Sequence, residues 1–311
     1  MTPTVSVIVP AHNAARTIRS TLESVFRQSR NDLEVIVVDD GSSDETHARL
    51  TEVEDERLVV LRQPQAGVSA ARNRGIGEAR GRFVCPLDAD DLLLPRFLET
   101  MGAALERAPA AGFAYTDAWT LDDRTGRIRR ASAKAYQQPP PTPPHDPLEF
   151  FRLLLERNFV YGCTLIRRTV LEEVGGYCAD LHTGEDYELW LRIVSRGYGA
   201  VLVPGRLAVY REGQPSSSSM NAVRIHGDNV RLLESVATSY PVDASLRRRA
   251  SERADEQRRL EHRAREGASR GHTALRPLRL ARRRLLRPYR WPRTRPPEVE
   301  ALLEATGGWP T

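Results

Sequence analysis

Two groups of carboxylates in this 311-residue sequence directly follow short apolar runs. Asp39-Asp40-Gly41-Ser42-Ser43-Asp44 comes after residues 33–38, and Asp88-Ala89-Asp90-Asp91 comes after residues 82–87. A third apolar run, residues 5–9, ends in Pro10-Ala11-His12-Asn13. Carboxylates brought close together repel unless a cation or a polar ligand fills the gap between them. Hard oxygen ligands suit Mg2+ or Mn2+, which keep several water sites and bridge phosphates. Each group also has a plainer explanation. Ser43 or Asp44 can cap the next helix, and residues 88–91 can form a solvated turn. The cation chemistry requires that both groups lie on one edge of the fold.

The surrounding text supplies such an edge. Residues 5–9, 33–38, 58–61 and 82–87 read as buried strands, and residues 14–28, 44–54, 69–79 and 95–107 read as the helices between them. This β-α-β-α alternation predicts a mostly parallel sheet with helices on both faces. Ligands of such sheets bind beyond the carboxyl ends of the strands, where all three segments would meet. Residues 111–130 read as strands around an acidic turn, and residues 137–147 carry six prolines and read as a loop. A short helix over 148–156, a strand over 164–167 and an amphipathic helix over 185–196 follow, then strands near Val201 and Ala208. Residues 216–219 are a serine run, and beyond about Asn221 the chain reads as helices. The glycines from Gly75 to Gly81 do not directly follow a strand, so they are no dinucleotide-binding turn.

With these blocks in order, the sequence resembles the inverting glycosyltransferase family 2, whose fold is GT-A, a Rossmann-like sheet that binds nucleotide sugars. The resemblance rests on Val5-Ser6-Val7-Ile8-Val9-Pro10 with Asn13, on Val37-Val38-Asp39-Asp40-Gly41-Ser42-Ser43-Asp44, and on Gly67 with Ala71-Arg72-Asn73-Arg74-Gly75-Ile76. It continues through Leu87-Asp88-Ala89-Asp90-Asp91, a D-x-D motif, to Gly184-Glu185-Asp186 with Leu189-Trp190-Leu191-Arg192, and covers residues 4–212. It implies transfer of a sugar from a nucleoside-diphosphate sugar to an acceptor hydroxyl with inversion, in polysaccharide, glycolipid or glycoconjugate synthesis.

The resemblance also implies roles. Pro10, Asp39 and Asp40 would cradle the base, where a carboxylate can accept the imide N–H of uracil, so a UDP-sugar is the expected donor. Arg72 would reach the base or the diphosphate, Asp88 the ribose, and Asp90 a divalent cation, Mg2+ or Mn2+. Asp186 would be the general base, with Glu185 and Trp190 beside the substrates. Acids at positions 185 and 186 also suit a helix N-terminus without any chemistry, and Trp190 also fits a buried helix face. Many relatives carry a histidine after the late Tyr-Arg pair. Here Tyr210-Arg211 precedes Glu212-Gly213 with no histidine, His226 being further along and His182 just before Asp186. A third protein ligand to the metal is therefore either absent or replaced by Glu212 or water. Two other functions fit the sequence less well. A nucleotide-sugar-binding protein that has lost its chemistry is opposed by the presence of Asp88, Asp90 and Asp186 together and favoured by the missing histidine. A sugar nucleotidyltransferase needs a Gly-rich loop after the first strand, and residues 10–14 do not provide one.

Composition frames the rest. Hydrophobic residues make up 40% and charged residues 28%, as in a globular protein with a real core. The net charge of +5 conceals a split: residues 1–243 carry −5, residues 244–295 carry +13 on eighteen arginines, and residues 296–311 carry −3. The expected organisation is a catalytic domain over 1–240, with a nucleotide-sugar half (1–110) and an acceptor half (111–240), then an arginine-rich helical extension over 241–311. Residues 244–295 fit a solvated tail or a peripheral contact with anionic lipid, since Leu275, Leu278, Ala281, Leu285 and Tyr289 recur at helical spacing near Trp291. Nucleic acid has only charge in its favour. Three cysteines without a C-x-x-C pair argue against a disulfide scaffold or zinc site. With no leader ahead of Val5 and no long apolar window, the expectation is a cytoplasmic protein, with the inner face of the plasma membrane as the place of any lipid contact and a carbohydrate or lipid-linked molecule as acceptor.

Overall fold

The computed structural model describes residues 2–130, 140, 142–160, 162–213, 221–269 and 296–306. The serine run 216–219, the arginine-rich stretch 270–295 with its spaced leucines, and residues 137–139 and 141 of the proline-rich segment lie outside these residues. In chain order the elements are β1 (Val5–Ala11), α1 (Ile18–Phe26), β2 (Leu33–Asp40), α2 (Thr46–Thr51), β3 (Leu58–Gln63), α3 (Val68–Glu78), β4 (Phe83–Pro86), β5 (Leu92–Leu93) and α4 (Phe97–Arg107). The second half adds β6 (Ala111–Asp122), β7 (Ile128–Arg130), α5 (Pro147–Glu156), β8 (Thr164–Arg167), α6 (Arg168–Val174), α7 (Glu185–Ser195) and β9 (Gly199–Glu212). Helices α8 (Ala222–Ser239), α9 (Ala244–Ser269) and α10 (Pro297–Ala305) complete it.

All strands join one sheet in the order β3-β2-β1-β4-β8-β6-β9-β5, with β7 against β6. Strands β3, β2, β1 and β4 run parallel, as short β-branched strands linked by crossover helices must. Beyond β4 the sheet becomes mixed: β8 is antiparallel to β4 and β6, β9 is parallel to β6, and β5 is antiparallel to β9. The mostly parallel expectation therefore holds for the first half of the sheet. Strand β3 is an edge strand with its residues only partly covered, so its apolar text does not mean burial on both faces.

The two strands expected near Val201 and Ala208 are one, β9, which continues through Pro204-Gly205. Its register against β6 slips between Leu202 and Arg206, and the Thr116 hydroxyl bonds the freed carbonyls of Val203 and Gly205 at 3.0 and 3.1 Å. Such an interruption is where a strand tolerates Pro and Gly.

Two apolar layers sandwich the sheet. On one face α1 and α4 bury Leu22, Val25, Phe97 and Met101 against Val7, Val35 and Phe83. On the other, α5, α7 and α8 pack around Phe113, Phe150 and Trp190. Burying side chains of this size contributes roughly 1.5–3 kcal/mol each. Leu246, Ala250 and Ala254 of α9 belong to that same core, so the chain crosses the boundary expected at residue 240 without leaving it. Helix α10 seats Val299, Leu302 and Leu303 on Leu92, Leu94, Leu121, Ile128 and Val209. Many arginines of α9 are locally paired. Arg249 holds Glu156 at 2.6 Å, Arg253 bonds the Leu155 carbonyl, and Arg265 holds Glu261. No described helix is long and apolar enough to cross a membrane.

Candidate active site

The carboxyl ends of β1, β2 and β4 lie side by side, because β1 pairs with both β2 and β4. Pro10 is buried in β1 opposite Val38, directly before the pairing of Ala11 with Asp39. Asp39 and Asp40, the last residues of β2, are both buried and shape backbone. Asp39 Oδ1 accepts the Ser42 N–H at 2.9 Å, with His47 and Arg62 nitrogens 3.7 and 3.5 Å from Oδ2. Asp40 accepts from the Gln63 amide at 2.7 Å and from the N–H groups of Ala66 and Gly67 at 2.8 Å each. Gly67 is the N-cap of α3. Asp40 therefore fixes where α3 begins, and Arg72 follows one turn later. His12 Nδ1 lies 2.9 Å from the Asp40 carbonyl oxygen, with its Nε2 toward Gln65 at 3.3 Å, on the exposed rim above.

Arg72 is the centre of the arrangement. Its guanidinium donates to Asp88 Oδ1 at 2.6 Å and to Glu185 Oε1 at 2.7 Å, and lies over the Tyr177 ring with 5.0 Å to the centroid. Side-chain exposure is 9% for Arg72, 13% for Glu185 and 46% for Asp88. Burial opposes the arginine's charge, yet Asp88, Tyr177 and Glu185 hold its pKa well above the ordinary value. For Glu185, burial raises the pKa, Arg72 opposes the rise and Asp186 adds to it. Asn73 explains the geometry next door. Its amide accepts the Tyr177 N–H at 2.7 Å and donates to the Tyr177 carbonyl at 2.8 Å. A Cβ on Gly176, whose φ is +72°, would sit 2.5 Å from that amide oxygen. Adjacent residues Arg72 and Asn73 thus hold the Tyr177 ring and backbone respectively.

The segment 88–91 turns sharply after β4. The Asp91 N–H bonds the Asp88 carbonyl at 3.0 Å, and the Thr21 hydroxyl bonds the Ala89 carbonyl at 3.0 Å. Asp90 is pushed up to about 7, first by burial and then by Asp88, while Arg211 opposes. Asp91 is also raised well above its ordinary value by burial, with Asp90 and Asp88 adding to the rise, and it accepts the Arg211 N–H at 3.2 Å. The buried Arg211 side chain donates to Ser20 Oγ at 2.8 Å and lies 4.0 Å from Asp123, which also pairs with Arg16.

Among the described residues no three His, Cys, Asp or Glu side chains converge to enclose an ion. Asp88 and Asp90 fit a hard divalent cation that brings further oxygen ligands of its own, such as phosphate and water, and do not form a closed protein cage. Glu212 ends β9 opposite Asp122. Of the two histidines, His226 lies on α8 with Nδ1 2.8 Å from Gln257 of α9, and His182 is exposed.

Asp186 is the second residue of α7, half-buried, and its Oδ1 accepts the Tyr187 N–H at 2.6 Å. Trp190 takes the core place that its helix face suggested and not the place beside the substrates. It is 0% exposed and stacked on Phe113 at 4.8 Å between centroids, so its ring offers no face to a substrate. Arg72 meets a carboxylate at each end of its guanidinium. Arg211, Asp123 and Tyr177 enter the site without a sequence-based role. An arginine closing the apolar text Leu207-Ala208-Val209-Tyr210 was the available sign for Arg211.

Known proteins resemble this chain in sequence and in fold. The family model described as Glycosyl transferase family 2 matches residues 6–175 and ends before α7. Succinoglycan biosynthesis protein ExoO of Rhizobium meliloti (strain 1021) is 34% identical over 222 residues, covering 69% of this chain and 63% of that protein. Putative glycosyltransferase EpsH of Bacillus subtilis (strain 168) is 39% identical over 106 residues, covering 32% of this chain and 30% of that protein. The chain thus spans less than two thirds of the length of these two relatives. Among solved structures, S. aureus TarS 1-349 in complex with UDP-GlcNAc superposes with TM-score 0.64 at 16% identity, over 81% of this chain and 72% of that one. Mannosyltransferase PcManGT from Pyrobaculum calidifontis, in complex with GDP-Man and Mn2+, superposes with TM-score 0.56 at 22% identity, over 99% and 86%. At these identities the likeness establishes the fold, GT-A.

Proposed function

The chain belongs to glycosyl transferase family 2, and from that membership we propose that it moves a sugar from a nucleoside-diphosphate sugar to an acceptor hydroxyl, with inversion, in polysaccharide or glycoconjugate assembly. One observation carries the proposal. A single buried guanidinium, Arg72, bonds Asp88 after β4 and Glu185 at the start of α7. It ties the donor-side turn to the helix that bears Asp186.

The donor lies over the ends of β1, β2 and β4, with its base beside Pro10 and the loops that Asp39 and Asp40 organise. The complexes of two proteins of the same fold with UDP-GlcNAc and GDP-Man support a nucleotide sugar, and the imide N–H that a carboxylate can accept makes UDP the favoured nucleotide. Asp88 binds the ribose. Asp90, with Asp88 beside it, would hold a divalent cation, Mg2+ or Mn2+, and the cation would supply positive charge to offset the negative charge developing on the departing diphosphate. Arg211 and Asp123 hold the turn from behind.

Asp186 takes the proton of the acceptor hydroxyl as its oxygen attacks the anomeric carbon. A new C–O bond forms on one face, the bond to the diphosphate oxygen breaks on the other, and the nucleoside diphosphate leaves with that electron pair. One displacement gives inversion. Glu185, held by Arg72, fixes the first turn of α7 and keeps negative charge beside Asp186.

A thermal-shift series with UDP-GlcNAc, UDP-glucose and GDP-mannose, each with and without Mn2+, tests donor binding. A donor at about 100 times its Kd adds ~2.7 kcal/mol to stability. NMR of the product anomer tests inversion. No shift with any nucleotide sugar, or a product of retained configuration, contradicts the proposal.

A further inference from the structure

The turn that presents Asp186 is held by a carboxylate from outside the nucleotide-binding half. Helix α7 begins after Gly184, which serves as N-cap with φ +75° and ψ 17° and makes no side-chain cap hydrogen bond. A helix start is usually fixed by the oxygen of a Ser, Thr, Asp or Asn cap. Glycine supplies none, and its left-handed conformation is one that a residue with a Cβ seldom adopts. Arg72 holds Glu185 within the turn, and the residue that enters it ahead of Gly184 needs an anchor of its own.

That anchor is Asp228, in the second turn of α8. Its Oδ2 accepts two hydrogen bonds from Thr183, the residue before Gly184: from the N–H at 3.0 Å and from the hydroxyl at 2.9 Å. Its Oδ1 accepts from Arg231 Nη2 at 2.7 Å. Asp228 is 0% exposed, so leaving these bonds unmade would be costly. A second contact from the same part of the chain grips the far side of the turn. The Tyr240 hydroxyl donates to Glu188 Oε1 at 2.5 Å, and Glu188 also holds Arg192 at 2.7 Å. Residues 183–188, with Glu185 and Asp186 between, are thus bracketed from the C-terminal side of the chain.

Resting on the reading of Asp186 as the base, we propose that Asp228 is a positioning residue for catalysis: through Thr183 it sets the direction in which Asp186 meets the acceptor oxygen. It touches neither donor nor acceptor. Its loss should therefore lower turnover and leave donor binding intact. Displacing a catalytic group by about 1 Å can cost on the order of 100-fold in rate.

The test uses the full chain with UDP-GlcNAc, UDP-glucose and GDP-mannose plus Mn2+, read as nucleoside diphosphate released. Thr183→Val removes the hydroxyl at nearly constant volume, Thr183→Ser keeps it, Asp228→Ala removes the anchor, and Asp186→Asn is the reference. Thr183→Val should lower kcat by roughly 10–100-fold with donor KM within about twofold, Thr183→Ser should restore it, and Asp228→Ala should fall at least as far. If Asp228→Ala does not fold, the Thr183 pair decides. The proposal is overturned if Thr183→Val keeps wild-type kcat while Asp186→Asn has lost activity, which leaves the base assignment standing. It is also overturned if donor KM rises as steeply as kcat falls, or if Ser does not restore what Val removes. An active Asp186→Asn, or a wild-type chain that turns over none of the three donors, defeats the base assignment itself and this inference with it.

Discussion

Replacing Arg72 with Met probes the link between the two halves of the site. Met preserves much of the length and apolar stem and removes the charge. Two carboxylates then lose their partner, and their exposures differ. Asp88 is 46% exposed at its side chain, so water compensates it and its share is about 0–1 kcal/mol. Glu185 is 13% exposed and is left as an unpaired buried charge, which costs about 3–5 kcal/mol. The loss should thus be about 3–5 kcal/mol near neutral pH and should reside almost wholly in Glu185.

The pH dependence follows in sign. Burial already raises the Glu185 pKa, and Arg72 is the main opposing influence. In Arg72→Met the folded pKa climbs further above the unfolded value. An acid raised on folding binds its proton more tightly when folded. Its contribution is then fully present below the unfolded pKa and is lost as pH rises toward the folded one. The deficit against wild type should be smallest near about pH 5 and largest near about pH 8. Urea midpoints at both pH values measure it. Arg72→Met combined with Glu185→Gln should recover ~2 kcal/mol or more of the loss at the higher pH, since no buried charge remains. A single mutant within about 1 kcal/mol of wild type at both pH values, or a double mutant no more stable than the single, would refute the reasoning.

Two further outcomes are expected. With Asp90 pushed up to about 7 by burial and by Asp88, protons should compete with the cation. Apparent Mn2+ affinity, followed by thermal shift in the presence of nucleoside diphosphate, should fall about tenfold per pH unit below that value. It should become weak and pH-independent in Asp90→Asn, and a flat profile in wild type counts against Asp90 as a ligand. Leu303→Ala, in the helix that covers Leu92, Leu121 and Val209, should cost about 2–3 kcal/mol in urea unfolding. A loss under about 0.5 kcal/mol would mean that α10 does not pack there in solution.

Sequence patterning revealed the parallel half of the fold because its strands are short β-branched runs and its helices are separated from them by polar turns. It also located Asp88 and Asp90, since a carboxylate directly after such a strand has one edge to occupy. The mixed half was less legible. Strand β9 spans Pro204-Gly205, which reads as a break, and only the Thr116 hydroxyl in another strand makes the continuation tolerable. The apolar spacing of residues 189–193 pointed Trp190 toward the core, where it is buried against Phe113. The partner of Arg72 could not be read. A helix-borne arginine gives no sign that Glu185, 113 positions later, will neutralise it. Asp228 is an ordinary acid in a polar stretch of sequence, and only the packing of α8 beneath Thr183 gives it a role. The charge split sharpened as well. The arginines of α9 sit among acids and leave +3 there, so most of the uncompensated positive charge, +10, belongs to residues 270–295, where ten arginines occur with no acid.

The most direct measurement compares donor binding and turnover in Asp186→Asn. With Asp186 as general base, the donor Kd with Mn2+ should stay within about twofold of wild type, and kcat should fall by roughly 10²–10⁴. Transfer at near wild-type rate, or a loss of donor binding as large as the loss of turnover, would contradict the assignment of the base to the first turn of α7.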